Sequence, residues 1–308
     1  MTIDILLPYW GDSDHMKAAV KSVLNQSDSD WRMTVVDDAY PDQWLGDWLR
    51  DLDDSRITYH RNEVNAGITE NYRRCLSLAV HPIVVFMGCD DMMLPTYVQT
   101  IRAAHEAFPH ADVIQPGVRV IDEHGDLQVT LADEVKQKLT MPRVRGRRLL
   151  AGEELAVSLL RADWMYWPSL AFRRDRLLVT PFREDFPLIQ DLALVIDIVA
   201  AGGSLVLVDE DTFRYRRHSA SASSATLLSG KRFEGERRYF TLAAEEMKAL
   251  GWRRAERAAK RHLTSRLHAV ALVPKALRQK DRAALVRLAA HAVKPLPSGQ
   301  SSSQGDNT

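Results

Sequence analysis

The chain has 308 residues, of which 45% are hydrophobic, and its 41 Lys or Arg balance 41 Asp or Glu. This length allows one large or two modest domains with a full core, and the composition is that of an ordinary globular protein. No segment approaches the roughly 18 apolar residues of a membrane span, and no secretory signal is visible. The two cysteines lack a C-x-x-C spacing, which excludes a disulfide framework or zinc site. We therefore expect a cytoplasmic protein.

The balanced charge hides an asymmetry along the chain. Residues 231–294 contain 17 Lys or Arg against 6 Asp or Glu, so a basic segment follows an acidic body. A basic segment of this kind often meets a negative surface. Docking on the cytoplasmic face of an anionic membrane is one reading. Packing on the rest of the chain, or a homodimer, is the other.

The first third of the chain alternates between two hydrophobic periods. Strands are predicted over residues 3–8, 31–36, 57–60 and 83–87, and helices over 14–25, 44–49 and 69–74. Alternation of this kind is typical of a doubly wound α/β sheet with right-handed crossovers. No G-x-G-x-x-G follows the first strand, which argues against an NAD-type site.

The central stretch reads "IVVFMGCDDMMLP" over residues 83–95. Its apolar run predicts a strand buried on both faces, and Asp90 and Asp91 follow at the carboxyl end, where open α/β sheets hold ligands. Hard divalent cations on phosphate ligands are usually held by one or two carboxylates. The residues therefore indicate either a metal-bridged nucleotide or simply the N-cap of a helix beginning near Leu94 and Pro95.

The remaining elements are read in the same way. A helix is predicted over residues 97–108, strands over 111–115 and 117–122, a mobile loop over 133–148, a helix over 152–160 and a strand over 169–173. An apolar helix over 191–201 precedes strands over 204–208 and 213–215. Helices near 231–250, 252–272 and 281–293, separated at Gly251 and Pro274, precede a disordered tail.

Two clusters have more than one interpretation. Trp164, Tyr166 and Trp167 are either core residues or a wall that contacts a saccharide through ring faces and polar ring groups. The run from Arg214 to His218 is either a solvated charged face or a phosphate clamp.

Together the segments resemble a family 2 glycosyltransferase with a GT-A fold. The resemblance covers residues 3–218 and rests on ordered motifs: "ILLPYW", "VVDDAYPD", "NAGITENYRRCL", "FMGCDDMMLP", "QDLALVIDIVAAGG" and "FRYRRH". It implies a Rossmann-like mixed sheet flanked by helices, with a C-terminal helical appendage. The expected division is a catalytic domain over 1–225, a basic helical region over 226–295 and a disordered tail over 296–308.

The resemblance also implies a reaction and its residues. A sugar would move from a nucleotide-diphosphate donor, in particular a UDP-sugar, to a hydroxyl of a glycan or lipid-linked acceptor of the cell envelope, with inversion. Asp191 would be the general base, and Asp90 would hold Mn²⁺ or Mg²⁺ on the diphosphate. Contacts with the donor and its metal are implied for Pro8, Tyr9, Asp12, Asp37, Asp38, Asn65, Gly67, Asn71, Cys89, Asp90, Arg217 and His218. Contacts with the donor sugar or acceptor are implied for Asp91, Trp164, Tyr166, Trp167 and Gln190. No nucleic-acid partner is expected.

Two positions depart from the family pattern. Gly88 replaces the first acid of the metal motif, and Gln190 replaces the Glu that precedes the base. Glu184 and Asp185 are an alternative acid pair just upstream of Asp191. The departures keep two rival functions open: a catalytically silent protein that binds a sugar nucleotide or glycan, and a sugar nucleotidyltransferase.

Overall fold

The computed structural model describes residues 1–129, 140–217 and 231–296. Within these residues nine strands form one sheet, in the order β3-β2-β1-β4-β8-β6-β9-β5, and β7 also pairs with β9. The strands are β1 (Ile3–Tyr9), β2 (Trp31–Asp37), β3 (Ile57–Arg61), β4 (Ile83–Phe86), β5 (Met92–Met93), β6 (Val113–Ile121), β7 (Arg147–Ala151), β8 (Ala171–Arg173) and β9 (Ser204–Arg216).

The sheet is mixed. β1, β2, β3 and β4 pair in parallel, and so do β6 and β9. β8 is antiparallel to both β4 and β6, while β5 and β7 are antiparallel to β9. The parallel half therefore has its strand ends at one edge, where ligands of open α/β sheets bind.

Helices connect and cover the strands. The described helices are α1 (Ser13–Leu24), α2 (Trp44–Asp51), α3 (Ile68–Leu78), α4 (Tyr97–Ala107), α5 (Gly152–Arg161), α6 (Arg174–Val179), α7 (Gln190–Ala200), α8 (Lys231–Ala249), α9 (Arg253–Arg261), α10 (Leu263–Arg278) and α11 (Arg282–Val293). Among the described residues, no helix combines the length and the apolar character needed to cross a bilayer.

Buried residues line both faces of the sheet. Val84 and Phe86 of β4 belong to one hydrophobic cluster, which includes the apolar helix α7, whereas Ile83 and Val85 belong to a second cluster, which includes α1. Successive side chains of a strand point to opposite faces, so a continuous apolar run is what a central strand between two helical layers requires.

Three predicted element boundaries are wrong. The two strands expected over 111–122 are one strand, β6, with a shift in register around Pro116, and the two expected over 204–215 are one strand, β9. The loop expected over 133–148 ends earlier, because β7 begins at Arg147 and pairs with β9. Residues 133–139 of that loop lie outside the described residues.

The basic C-terminal helices divide into two groups. Tyr239 and Phe240 of α8 and Ala258 of α9 join the cluster that covers one face of the sheet. Arg183 stabilises this contact, because its guanidinium donates hydrogen bonds to Asp197 of α7 at 2.7 Å and to Glu246 of α8 at 2.6 Å. The alternative that these helices pack on the preceding part of the chain is therefore confirmed for α8 and α9.

Helices α10 and α11 pack mainly on each other. Leu272 and Ala276 of α10 and Leu288 of α11 form a small separate cluster with Phe233 of α8. The proposed boundary at residues 225/226 and the tail from residue 297 lie outside the described residues, so the domain division stays a prediction.

The predicted break at Pro274 is wrong. Pro274 lies inside α10, and the break between α10 and α11 falls at residues 279–281 instead. A second break divides the helix expected over 252–272 at His262, whose φ of 32° is left-handed. A proline inside a helix leaves the carbonyl four residues earlier without its donor. Here that carbonyl belongs to Val270, which is half exposed, so water can satisfy it.

Candidate active site

The ends of three parallel strands meet at one edge of the sheet. Tyr9 at the end of β1 pairs in register with Asp37 at the end of β2, and Leu6 of β1 pairs with Phe86 at the end of β4. Asp38 and the segment 88–91 follow directly. The sheet thus brings together the acidic segments predicted from the sequence.

Asp37 is an internal anchor. It is fully buried and accepts hydrogen bonds from the Tyr40 backbone N–H at 2.7 Å, from the Tyr59 hydroxyl at 2.7 Å and from Arg61 at 2.5 Å. Burial and the Asp37 hydrogen bond together raise the pKa of Tyr59 to about 12. Both carboxylate oxygens accept hydrogen bonds from the chain's own donors, so Asp37 has a structural role at the edge of the site.

Asp38 organises the loop that leads into α3. Its carboxylate accepts from Asn62 Nδ2 at 2.8 Å and from the backbone N–H groups of Ala66 and Gly67, each at 2.9 Å. Gly67 has a φ of 84°, a conformation that favours glycine, and α3 begins at the next residue. The charge of Asp38 therefore positions the loop at a helix N-terminus.

Two asparagines complete this loop. The buried Asn71 donates to the Val36 carbonyl at 3.1 Å and accepts from Asn62 at 3.2 Å, so it ties α3 to β2. The exposed Asn65 accepts from the Gly67 N–H at 3.1 Å. Asn65 is the more accessible of the two to a ligand.

The aromatic side chain that faces outward at the end of β1 is Trp10 instead of Tyr9. Tyr9 has no exposed surface and donates its hydroxyl to the Gly11 carbonyl at 3.1 Å, so the predicted contact of its ring with a base is wrong. Trp10 is 50% exposed and meets Tyr40 edge-on, with ring centroids 5.4 Å apart. Both faces of β1 are buried along its whole length, and Trp10 lies just beyond the last strand residue, where it reaches the surface.

Pro8 and Asp12 also serve the fold. Pro8 is buried in the sheet opposite Val36. Asp12 is the N-cap of α1 and accepts from the backbone N–H groups of Asp14 and His15, both at 2.9 Å. Capping an N-terminus satisfies donors that the helix leaves free.

The metal motif is built around Gly88. A Cβ atom at Gly88 would collide with the side chains of both Asp90 and Asp91, so the two carboxylates occupy the space that an acid at position 88 would need. Asp91 is 1% exposed and accepts from the Arg216 backbone N–H at 2.8 Å. Burial, and next the negative charge of Asp90, raise the pKa of Asp91 well above its usual range.

Arg216 holds this motif from the neighbouring strand. Its guanidinium donates to the carbonyls of Asp90 at 2.7 Å, Asp122 at 2.8 Å and Glu123 at 3.0 Å. Arg214 pairs with Asp211 at 2.5 Å. Arg216 and Arg214 thus bind other groups of the protein, and the prediction that they hold a phosphate is wrong. Arg217 is half buried, and His218 lies outside the described residues.

Cys89 packs against Gly11 in the turn that follows β1. A Cβ atom at Gly11 would lie 3.1 Å from Cys89 Sγ, so the thiol fills the space beside that glycine. Burial, and next the charge of Asp90, raise the pKa of Cys89 to about 12. Cys89 is therefore a neutral thiol at pH 7.

The second acidic position is the start of α7. Asp191 accepts from the Leu192 N–H at 2.8 Å and is half buried. Gln190 accepts from the Thr69 hydroxyl at 3.0 Å, which joins the starts of α7 and α3, while its buried Nε2 has no partner within the described part of the chain.

The alternative acid pair upstream of α7 is on the surface. Glu184 is exposed and pairs with Arg73 at 2.7 Å, and Asp185 is exposed as well. An acid that deprotonates a substrate works best where water is excluded, which favours Asp191 over both.

Tyr215 joins the two acidic positions. Burial raises its pKa, and the negative charges of Asp91, Asp90 and Asp191 raise it further. The charges of all three carboxylates therefore act on one phenol group on β9. The motif "FRYRRH" contains Tyr215, but in the sequence only its cations indicate a site.

The aromatic run divides between core and site. Trp164 is fully buried and donates its indole N–H to Ser158 Oγ at 3.0 Å, so its expected place on a saccharide-facing wall is wrong. Trp167 is half buried, stacks on Phe86 with centroids 5.7 Å apart and donates to the Tyr72 hydroxyl at 3.1 Å. Tyr166 meets Tyr215, with centroids 5.4 Å apart.

Comparison with known proteins identifies the class. The fold and the acidic strand ends are those of a glycosyltransferase with a GT-A fold. The family model described as Glycosyl transferase family 2 matches residues 4–159. The chain belongs to glycosyl transferase family 2, as the motifs predict.

Individual relatives agree with this assignment. Over 102 residues the chain is 31% identical to WcaA of Escherichia coli K12, named as a colanic acid biosynthesis glycosyl transferase, a match spanning 33% of this chain and 37% of that protein. It is 26% identical over 245 residues to the uncharacterized glycosyltransferase alr2836 of Nostoc sp. PCC 7120, covering 73% of this chain and 69% of that one.

A solved structure confirms the predicted fold class. The crystal structure of S. aureus TarS 1-349 in complex with UDP-GlcNAc superposes with a TM-score of 0.70. The superposition covers 96% of this chain and 82% of that one, at 13% sequence identity. The likeness is one of fold.

Proposed function

We propose that the protein transfers a sugar, with inversion, from a UDP-sugar to a hydroxyl of a glycan or lipid-linked acceptor of the cell envelope. The observation that carries the proposal is the position of two acidic segments: Asp90 and Asp91 follow β4 at the edge of the sheet, and Asp191 lies at the start of α7, which the 3.0 Å hydrogen bond between Gln190 and Thr69 joins to the start of α3. Inverting transfer needs one carboxylate to accept the acceptor proton and a separate site for the diphosphate that leaves. The segment after β4 and the start of α7 supply these two groups, and the charges of all three carboxylates raise the pKa of Tyr215.

Asp191 is the proposed general base. Half-buried at the first turn of α7, it is adjacent in sequence to Gln190, whose free Nε2 can donate to an incoming hydroxyl. Asp191 takes the proton as the acceptor oxygen attacks the anomeric carbon, and the bond from that carbon to the diphosphate breaks. No covalent enzyme intermediate is needed.

Asp90, with Asp91 behind it, is the proposed place for Mn²⁺ or Mg²⁺. Two carboxylates crowd the space above Gly88, and the charge of one raises the pKa of the other, so a cation there relieves their repulsion. Within the described residues, no group of three or more His, Cys, Asp or Glu side chains gathers. Magnesium commonly binds one or two carboxylates together with substrate phosphates and water, which suits this pair. When bound, the ion neutralises charge on the leaving diphosphate.

The donor nucleotide is proposed to lie over the loop that Asp38 holds. The exposed ring of Trp10, which follows β1, and the exposed Asn65 of this loop are accessible there. The N-terminus of α3 favours an anion. Arg217 and His218 remain proposed contacts for the diphosphate. The bound UDP-GlcNAc of TarS supports a UDP-sugar as donor.

A donor panel tests the proposal. Incubated with individual UDP-sugars and Mn²⁺, the protein is expected to release UDP slowly, and chelation of the metal should lower that rate. Pyrophosphate released from UTP and a sugar phosphate would support a sugar nucleotidyltransferase instead. Binding of donors without turnover would support the catalytically silent protein.

Contact with an anionic membrane is proposed for α10. Leu263, Leu267, Val270 and Leu277 are each more than half exposed and lie along one face at helical spacing. Lys275 and Arg278 are exposed nearby, and α10 contains no Asp or Glu. An apolar stripe beside cations is typical of helices that lie in the membrane interface.

Vesicle flotation tests this contact. The full chain is expected to float with vesicles containing anionic lipid and to float less with neutral vesicles. A Leu267→Ser/Val270→Ser variant should lose flotation, while Val80→Ser, which changes an exposed apolar residue after α3, should keep it. Absence of flotation with anionic vesicles would reject the membrane and leave self-association of α10 to be tested by sedimentation.

A further inference from the structure

A cavity with a volume of about 220 Å³ lies between β6, β9 and the segment before β7. It is smaller than the ~300 Å³ pockets that hold drug-sized ligands, so its size suits a group such as a single sugar ring. The lining residues that matter here are Gln115, Met141, Val144, Tyr166, Val208 and Asp209.

Gln115 is the unusual residue of this lining. It is 0% exposed, and neither its Nε2 nor its Oε1 has a hydrogen-bond partner among the residues that the structure describes. Buried side-chain amides are nearly always bonded, so an amide with both groups free at a cavity wall points to a ligand.

The backbone explains why this side chain lines a cavity. β6 changes register against β9 between Gln115 and Gly117, and a Cβ atom at Gly117 would lie 2.7 Å from the Glu210 carbonyl oxygen. Irregularities of this kind redirect side chains and occur next to binding sites. The proline between these residues cannot donate to the sheet, so the pairing is interrupted there.

The chemistry of the wall indicates a neutral ligand with hydroxyl groups. Met141, Val144 and Val208 are apolar, while Arg143 and Asp209 are exposed and opposite in charge. An anion at the buried end would meet the neutral amide of Gln115 and no cation. An amide both donates and accepts, which matches a hydroxyl, and the Tyr166 ring is part of the same wall.

The cavity adjoins the proposed reaction centre. Tyr166 contacts Tyr215 at a centroid distance of 5.4 Å. Tyr215 is the phenol whose pKa the charges of Asp90, Asp91 and Asp191 raise. We propose that this cavity binds one sugar unit of the acceptor and that the Gln115 amide hydrogen-bonds its hydroxyls. Identifying that sugar as the acceptor rests on the proposed glycosyl transfer; binding itself does not.

Gln115→Met tests the assignment. Saturation-transfer NMR would use methyl glycosides of glucose, galactose, mannose and N-acetylglucosamine as probes, added with UDP so that the donor site is filled. The parent is expected to bind at least one glycoside, and loss of two hydrogen bonds should weaken that binding about tenfold or more in Gln115→Met. The melting temperature should stay the same or rise, because an apolar side chain replaces an unpaired amide.

Thr212→Val is the matched control. Thr212 Oγ1 is also buried with no bonding partner in the described chain, but this residue does not line the cavity, so the variant should bind like the parent. If Gln115→Met fails to fold, Val144→Phe, which fills the cavity from a surface segment, must abolish binding instead.

Two outcomes overturn the inference: the parent binds none of the glycosides, or Gln115→Met binds them as the parent does. In the second case, a lower melting temperature of the variant would indicate that Gln115 bonds only an internal water. UDP release from the donor in the absence of acceptor is measured alongside. That release tests the proposed function separately, because it does not require the cavity.

Discussion

Asp191→Asn is expected to lower the rate of sugar transfer by about 10²- to 10⁴-fold, the usual contribution of a general base. Asparagine cannot accept the acceptor proton, but it retains an oxygen for the Leu192 N–H that Asp191 bonds at 2.8 Å. The start of α7 should therefore stay folded, with an unchanged melting temperature. Donor affinity, measured by calorimetry with UDP, should stay near that of the parent.

Asp185→Asn is the matched control, because Asp185 is an exposed acid of the pair upstream of α7. Its transfer rate should equal that of the parent. The assignment of Asp191 as the base is wrong if Asp191→Asn keeps the parental rate. If Asp185→Asn or Glu184→Gln is the variant that loses activity, the base is that upstream acid.

Asp90→Ala is expected to lower transfer by about 10²- to 10³-fold, a loss typical of removing one group that stabilises developing charge. The variant should also bind Mn²⁺ more weakly in the presence of UDP, which electron paramagnetic resonance can follow directly. Removing the neighbouring charge should bring the pKa of Asp91 closer to its usual range, since Asp90 contributes to its elevation.

Asp126→Ala controls for the loss of an acid from the turn after β6, because Asp126 is exposed and bonds Asp122 through its backbone N–H and carbonyl, which the substitution keeps. It should leave Mn²⁺ binding and transfer unchanged. Parental transfer and parental Mn²⁺ binding in Asp90→Ala would remove Asp90 from the site.

The family and the location of the site could be read from the sequence. Strands that end in Asp37-Asp38 and in Asp90-Asp91 were recognisable from apolar runs followed by acids. The carboxyl ends of parallel strands lie at one edge of a sheet, so their proximity followed from the order of elements. The apolar helix that begins at Gln190 was likewise recognisable, because its composition requires burial on all sides.

The roles of individual side chains could not be read in the same way. Tyr9 and Trp10 are adjacent aromatics, and only the structure shows that β1 ends at Tyr9 and that Trp10 is the exposed one. Asp37 and Asp38 look alike in sequence. Asp37 proves to be enclosed by its own hydrogen-bond donors, while Asp38 holds a loop at a helix start.

The succession of elements and the acids at their ends follow from the sequence alone, because hydrophobic period and chain order are local properties. The groups that meet across the chain are known only from the folded structure. Tyr215 approaches acids from two other elements, and Gln115 shares a cavity with Tyr166 and Val208. Such contacts depend on strand order and on one shift in register, and neither leaves a pattern in the neighbouring residues.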